Sequence, residues 1–277
     1  MNYYNEWDPQ AAAWLRELIS ERLIPRGLVD ERSITEVKAE DLEGFTQCHF
    51  FAGIGGWPLA LQLAGVDHRT PLWTGSPPCQ PFSAAGKQLG QFDPRHLAPV
   101  FLDLISQCRP PVLFGEQVAP AIAKSWMCDL QTHLEGEDYA VGFAVLPACS
   151  VGAPHKRERL FFGAYNMAES LRTERDREWL HGLGESNKAQ GGRTAAELAG
   201  RSDTLATDAH NGFWSDADWL GCRDGKFRPV EPGTFPLANG IPARVGRLRG
   251  YGNAIVPEVA AEFVRAFLAA SEDAIKG

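Results

Sequence analysis

The sequence predicts an α/β fold built on a mostly parallel sheet, and three observations lead there. Short apolar runs bounded by Gly and Pro alternate with amphipathic stretches from residue 47 to about residue 165. The first of those runs ends in a glycine turn that opens a helix, the usual exit from a parallel strand. At 277 residues and 44% hydrophobic content, the chain is long enough to bury one large core.

Each element follows from local pattern. Ala12, Leu15, Leu18, Ile19 and Leu23 repeat at helical spacing over residues 11–23, and Ser33 with Glu36 has the spacing of a capping box, so residues 1–46 read as a helical extension. A buried strand from Cys48 into Gly53–Gly56 follows, then an apolar helix over Trp57–Ala64 and a short strand at Leu72–Thr74. A helix over Asp93–Cys108 with Asp93 at its cap, a strand at Val112–Phe114 and a helix over about 122–134 come next. Strands at Tyr139–Leu146 and Leu160–Ala164 complete the alternation. Regular pattern then dissolves among Glu, Arg, Gly and Ser, and returns in a helix over Pro257–Ala270 with one apolar face.

Charge and cysteine usage exclude several classes. A net charge of −8 argues against a protein that coats nucleic acid through a broad basic surface. The average hides an asymmetry: residues 1–47 carry five basic against ten acidic side chains, while 223–249 carry six basic against two acidic. None of the six cysteines forms a Cys-x-x-Cys pair, which argues against structural zinc and a disulfide framework. No apolar stretch reaches membrane-spanning length, and the opening Met-Asn-Tyr-Tyr-Asn-Glu lacks the features of a signal peptide, so a cytoplasmic protein is expected.

Several motifs can carry chemistry. Gly53-x-Gly55-Gly56 brings backbone close to a ligand at a helix N-terminus, although such a turn is as often a plain tight connection. Cys79 follows a strand within Gly75-Ser-Pro-Pro-Cys-Gln-Pro-Phe-Ser83; prolines around a thiol are poor core packing and good positioning. Glu116 ends the next strand, and His155, Arg157 and Arg159 alternate onto one face of a later one. In isolation, a helix-capping carboxylate and a solvated strand start would explain these.

Taken in order, Phe51-Ala52-Gly53-Ile-Gly55-Gly56, Pro78-Cys79-Gln80-Pro-Phe-Ser83, Glu116-x-Val118, His155-x-Arg157-x-Arg159 and Gly252-Asn253-Ala254-x-Val256-Pro257 resemble the DNA cytosine carbon-5 methyltransferases. The chain looks like the small phage and prophage members of that family. The resemblance implies a Rossmann-like sheet and transfer of a methyl group from S-adenosyl-L-methionine to carbon 5 of a flipped cytosine in double-stranded DNA. It makes Cys79 the nucleophile, Glu116 the acid at ring nitrogen 3, and Arg159 with Arg157 the cytosine contacts. Phe51, Ala52, Gly53, Gly55, Gly56, Pro78, Asn253 and Ala254 are then expected at the cofactor, and Gln80, Ser83, Arg95, Arg223, Lys226 and Arg228 at DNA. No metal is implied, no membrane partner is expected, and the oligomeric state is not indicated.

The implied organisation is a helical extension (1–46), a catalytic domain (47–165 with 244–277) and a small irregular target-recognition region (166–243). The pattern departs from the family in three places. Gln117 stands for the asparagine after the glutamate, and His155 for the first glutamine of the arginine motif. The family also separates the glycine turn from the cysteine motif by two strand and helix units, bringing acids to ribose and adenine. Here that interval has no room for them, so a sheet truncated at one edge is expected, with Asp67 the only acid left for the ribose; the extension, whose Tyr3, Tyr4, Trp7 and Trp14 offer aromatic faces and whose acids could meet ribose hydroxyls, either partly replaces those units or covers the exposed sheet edge. Two other readings stay open: a thymidylate synthase-like enzyme acting on free nucleotides, and a degenerate, non-catalytic DNA-binding protein.

Overall fold

The computed structural model describes residues 1–78, 97–120, 126–153, 155–167, 218–221, 227–230 and 254–276, with only the backbone at 218–221, 227–230 and 272–276. Among these residues, seven strands form one sheet in the order β2-β1-β3-β4-β5-β7-β6. They are β1 (Asn2–Asn5), β2 (Gly27–Asp30), β3 (Gln47–Phe50), β4 (Leu72–Gly75), β5 (Val112–Val118), β6 (Tyr139–Leu146) and β7 (Arg159–Asn166). The five strands from β2 to β5 are parallel, and β7 runs antiparallel to both β5 and β6.

The mostly parallel α/β class is as expected, but two of its details are not. The first 46 residues are not a helical extension: they form a β-α-β unit, and the sheet is not truncated. In this unit α1 (Pro9–Ser20) is capped by Asp8, whose side chain accepts from the N–H groups of Gln10 and Ala11. The capping box at Ser33 and Glu36 exists, on a single 3-10 turn at Ile34–Glu36. Tyr3 and Tyr4 are fully buried, so their rings belong to the core and not to a ligand. Tyr3 packs on Phe45 and Phe50 on one face of the sheet, while Tyr4 stacks on His49, ring centroids 5.0 Å apart, on the other. Strand β1 is buried at all four residues and β2 is only four residues long, so neither shows a countable period-two alternation, and the pattern of residues 1–30 reads only as its helix.

Helices α3 (Ala98–Cys108) and α4 (Trp126–Gly136) cover the face that carries Tyr3, Phe50, Trp73 and Phe162. The opposite face carries α1 over Tyr4 and Val29, then α2 (Gly56–Leu63) and α5 (Pro257–Lys276) over Phe114 and Phe161. Between these two apolar patches a buried pair, His49 Nδ1 and Thr74 Oγ1, lies 2.8 Å apart. The units β1–α1–β2 and β3–α2–β4 therefore run in opposite directions along the sheet with their helices on the same face. Two parallel crossovers so related have opposite hands, so one breaks the right-handed rule that holds in about 98% of cases.

Strands β8 (Asp218–Gly221) and β9 (Phe227–Val230) pair as an antiparallel ribbon and are all that is described between residues 168 and 253. Among the described residues no helix is long and apolar enough to cross a membrane.

Candidate active site

Parallel α/β sheets put their chemistry at the carboxyl ends of the strands, and here β1, β3, β4 and β5 each deliver a motif to that end. After β3 the chain turns sharply. Phe51 adopts φ 53°, a left-handed conformation that is costly for a bulky side chain, and Gly53 (φ 56°) and Gly55 (φ 85°) follow in the same region. A Cβ at Gly56 would lie 2.7 Å from Ile255 Cγ1, so only glycine lets α2 start against the turn that precedes α5.

A residue absent from the sequence reading closes this turn. Glu6, directly after β1, is 9% exposed. Its Oε2 accepts the Gly53 N–H at 2.7 Å and its Oε1 the Asp8 N–H at 2.9 Å. Burial raises its pKa, with those two backbone donors opposing the shift. The Ala52 N–H donates to the Asn5 carbonyl and the Glu6 N–H to the Asp30 carbonyl, each at 3.0 Å, so three strand ends are laced together. Asp30 itself is engaged by Arg32 and the Tyr3 hydroxyl, and Trp7 beside Glu6 is 71% exposed. The only sequence signal for Glu6 is an acid following Tyr-Tyr-Asn, a run too short to read as a strand.

The structure does not bring Asp67 to this site. The Gln47 side-chain amide donates to its carbonyl, which places it beside the first residue of β3, at the opposite end of the sheet from Phe51. Its carboxylate pairs with Arg69, which holds its pKa down at about 2.

On β5, Glu116 is 8% exposed and its Oε1 lies 2.7 Å from Arg159 Nε. Burial raises the Glu116 carboxyl from its ordinary 4.5 to about 7, outweighing the opposing charges of Arg159 and Arg157. The pairing β5–β7 sets Val118 opposite Arg159 and Glu116 opposite Phe161, so the antiparallel strand delivers the arginine to the carboxylate. Arg157 has φ 30° and donates to the Ala254 carbonyl at 2.5 Å, joining the start of β7 to the turn before α5. Burial and the neighbouring Arg159 lower its pKa. Gln117, 3% exposed, donates from Nε2 to the Pro77 carbonyl at 3.2 Å, and its Oε1 accepts the Val118 N–H. His155 is exposed.

Phe51, Ala52, Gly53, Gly55, Gly56, Pro78, Glu116, Arg157, Arg159 and Ala254 thus gather on the elements that end here. Cys79, Gln80, Ser83, Arg95, Arg223, Lys226 and Asn253 lie outside the described residues, and the Arg228 side chain is not described. An apolar cleft of about 570 Å³ adjoins the turn on its helix side, between Trp14, Leu59 and Val256. It contains neither Glu6 nor Glu116, and the polar groups at the strand ends are the better seat for chemistry.

Residues 70–204 match the family model of C-5 cytosine-specific DNA methylases. The type II methyltransferase M.AplI of Arthrospira platensis is 38% identical over 96 residues, 34% of this chain and 28% of the relative. M.AquIA of Picosynechococcus sp. is 34% identical over 112 residues, 36% of this chain and 45% of the relative. The chain therefore spans less than half the length of either. Among solved structures, the Dnmt2 methyltransferase of S. pombe aligns with 14% identity over 72% of this chain and 58% of its own, with a TM-score of 0.40.

Proposed function

Taking as premise that the chain is a member of the C-5 cytosine-specific DNA methylase family, we propose that it methylates carbon 5 of cytosine in double-stranded DNA. The observation that carries this reading is Glu116: a buried carboxyl with a pKa near 7, paired with an arginine at a strand end, is poised to hold a proton at neutral pH. Carbon 5 of cytosine is a weak nucleophile. Addition of the Cys79 thiolate to carbon 6, with the Glu116 proton passing to ring nitrogen 3, turns the ring into an enamine that is nucleophilic at carbon 5. After alkylation, loss of the carbon-5 proton lets the sulfur leave and restores the aromatic ring. Arg159 holds Glu116 and is available to the cytosine oxygen, and Arg157 braces the pocket wall through Ala254. The target base must leave the duplex to reach such a pocket.

The methyl donor is S-adenosyl-L-methionine, which supplies an electrophilic methyl carbon. The residues present fit it. The Phe51–Gly56 turn offers a close backbone approach at a helix N-terminus, and Glu6 places a carboxylate where ribose hydroxyls can donate. Asp67 has no part in this, and the Asn253-Ala254 motif is the proposed contact on the methionine side. Gln80, Ser83 and Arg95 after the nucleophile, and Arg223, Lys226 and Arg228 in the 166–243 region, are the proposed DNA contacts, with that region reading the target.

Methylation sequencing of DNA from cells expressing the protein tests the reading. Wild type should leave 5-methylcytosine at a defined sequence and Cys79→Ala none. Unmodified DNA with wild type, or equal modification with both, would overturn it.

A further inference from the structure

We propose that Trp57 and Ser76 are positioning residues for the nucleophile, forming a latch that ties the glycine-turn helix to the stem of the Cys79 loop; this rests on the methylase reading above. The Trp57 Nε1–H donates to the Ser76 hydroxyl at 2.9 Å. Trp57 lies in the first turn of α2, directly after Gly55–Gly56, and Ser76 is the first residue beyond β4, three positions before Cys79.

The stem's chemistry explains why it needs outside anchors. Ser76 is followed by Pro77 and Pro78, which carry no N–H, so this stretch cannot secure itself by donating backbone hydrogen bonds. What it can offer are acceptors, and two are taken by buried side chains from different elements. Gln117 of β5 donates to the Pro77 carbonyl and Trp57 of α2 donates to Ser76. With their φ angles fixed, the two prolines pass the position of this anchored stem on to the cysteine that follows.

Trp57 is suited to the role because its ring has no freedom. It is 2% exposed, stacked on Phe114 at 6.4 Å and edge-on to Phe161 at 6.4 Å. The indole N–H is thus fixed in space by the core. Since the same first turn of α2 faces the proposed cofactor site through Gly53–Gly56, the latch sets the distance between donor and nucleophile. A misplacement of about 1 Å in such a geometry costs about a hundredfold in rate.

The test uses the full chain, with Trp57→Phe, which keeps an aromatic ring in the core and deletes the donor, Ser76→Ala, which deletes the acceptor, and the double variant. Two rates are read. Covalent capture of a duplex carrying 5-fluorocytosine in the target, with S-adenosyl-L-methionine present, should slow about tenfold in each single variant. Alkylation of Cys79 by iodoacetamide, followed by mass spectrometry without DNA or cofactor, should instead accelerate about threefold, because a released stem opens more often. The double variant should match the singles in both rates.

Unchanged alkylation in Ser76→Ala, or effects that multiply in the double variant, would overturn the latch. Should Trp57→Phe fail to fold, Ser76→Ala decides by itself. The alkylation rates also decide if wild type captures no DNA, a result that would overturn the methylase reading and leave the latch to its own test.

Discussion

Two carboxylates at the strand ends differ in task because their surroundings differ. Glu116 is held near pH 7 by burial despite two guanidinium neighbours, so its proton is present below that pH and lost as pH rises through it. Single-turnover methylation should therefore decline as pH rises past about 7, and Glu116→Gln should lower the rate by roughly a hundredfold or more and abolish that limb. Stopped assays across pH 5.5 to 9 check both, and a Glu116→Gln enzyme with near wild-type turnover would place the acid elsewhere. Glu6 accepts two backbone N–H groups and, among the described residues, pairs with no arginine, which leaves its charge for a ligand. Glu6→Gln should bind S-adenosyl-L-homocysteine about tenfold more weakly by calorimetry, the worth of one charge-assisted hydrogen bond, and should melt somewhat lower while still folding, because the amide NH2 cannot accept from one of the two backbone N–H groups. Equal affinity would remove Glu6 from the cofactor site.

At the scale of elements, the N-terminal β1–α1–β2 unit replaces an expectation of loose helices. Its two tyrosines are core residues, so deleting the unit strips Tyr3 from Phe50 and Tyr4 from His49 and exposes the hydrogen-bonding edge of β3. A chain beginning at Phe45 should lose its cooperative thermal transition, and Tyr3→Ala should cost about 3–5 kcal/mol, as other buried aromatic truncations do. Denaturant titration measures the second, and a stable, cooperative truncated chain would show the unit to be a mere cover. Other elements were legible where a period could be counted, although α3 begins at Ala98, after Leu97, and not at an Asp93 cap. Strand β6 has the bounds that its sequence indicates, and α2 begins and ends within a residue of expectation, because eight residues suffice to show a pattern. Four-residue β1 and β2 were not legible, and neither was Glu6 at the end of one of them.

For the whole molecule, the informative feature is the order of units. Strands β1 and β2 stand ahead of the glycine turn in the chain, yet they lie beside β3 in the same sheet. The ends of the units meet. The Met1 carbonyl accepts from the Thr46 N–H, the Thr46 carbonyl from the Leu72 N–H, and Gln47 reaches the Asp67 carbonyl. A rearranged chain running 47–70, then 1–46, then 71–277, with short glycine joints, should therefore fold to the same sheet and bind S-adenosyl-L-homocysteine. In that order β3–α2–β1 and β1–α1–β2 advance in one direction along the sheet with helices on one face, so the two crossovers share a hand. Circular dichroism with calorimetry tests it, and a folded but non-binding product would show that order, and not arrangement, makes the pocket.

By itself the sequence determined the α/β class, the glycine turn, and the strand-end placement of Glu116 and Arg159. These are local signals, each written in neighbouring residues whose spacing reflects one strand, one turn or one helix. Tertiary structure alone decided that Glu6 meets Gly53, that Asp67 lies at the wrong end, and that Trp57 reaches Ser76. The physical reason is that strand pairing is a long-range choice. Which strand lies beside β3 depends on burying Tyr3 and Tyr4 against Phe50 and His49, more than forty residues away, and no pattern within either segment records that partnership.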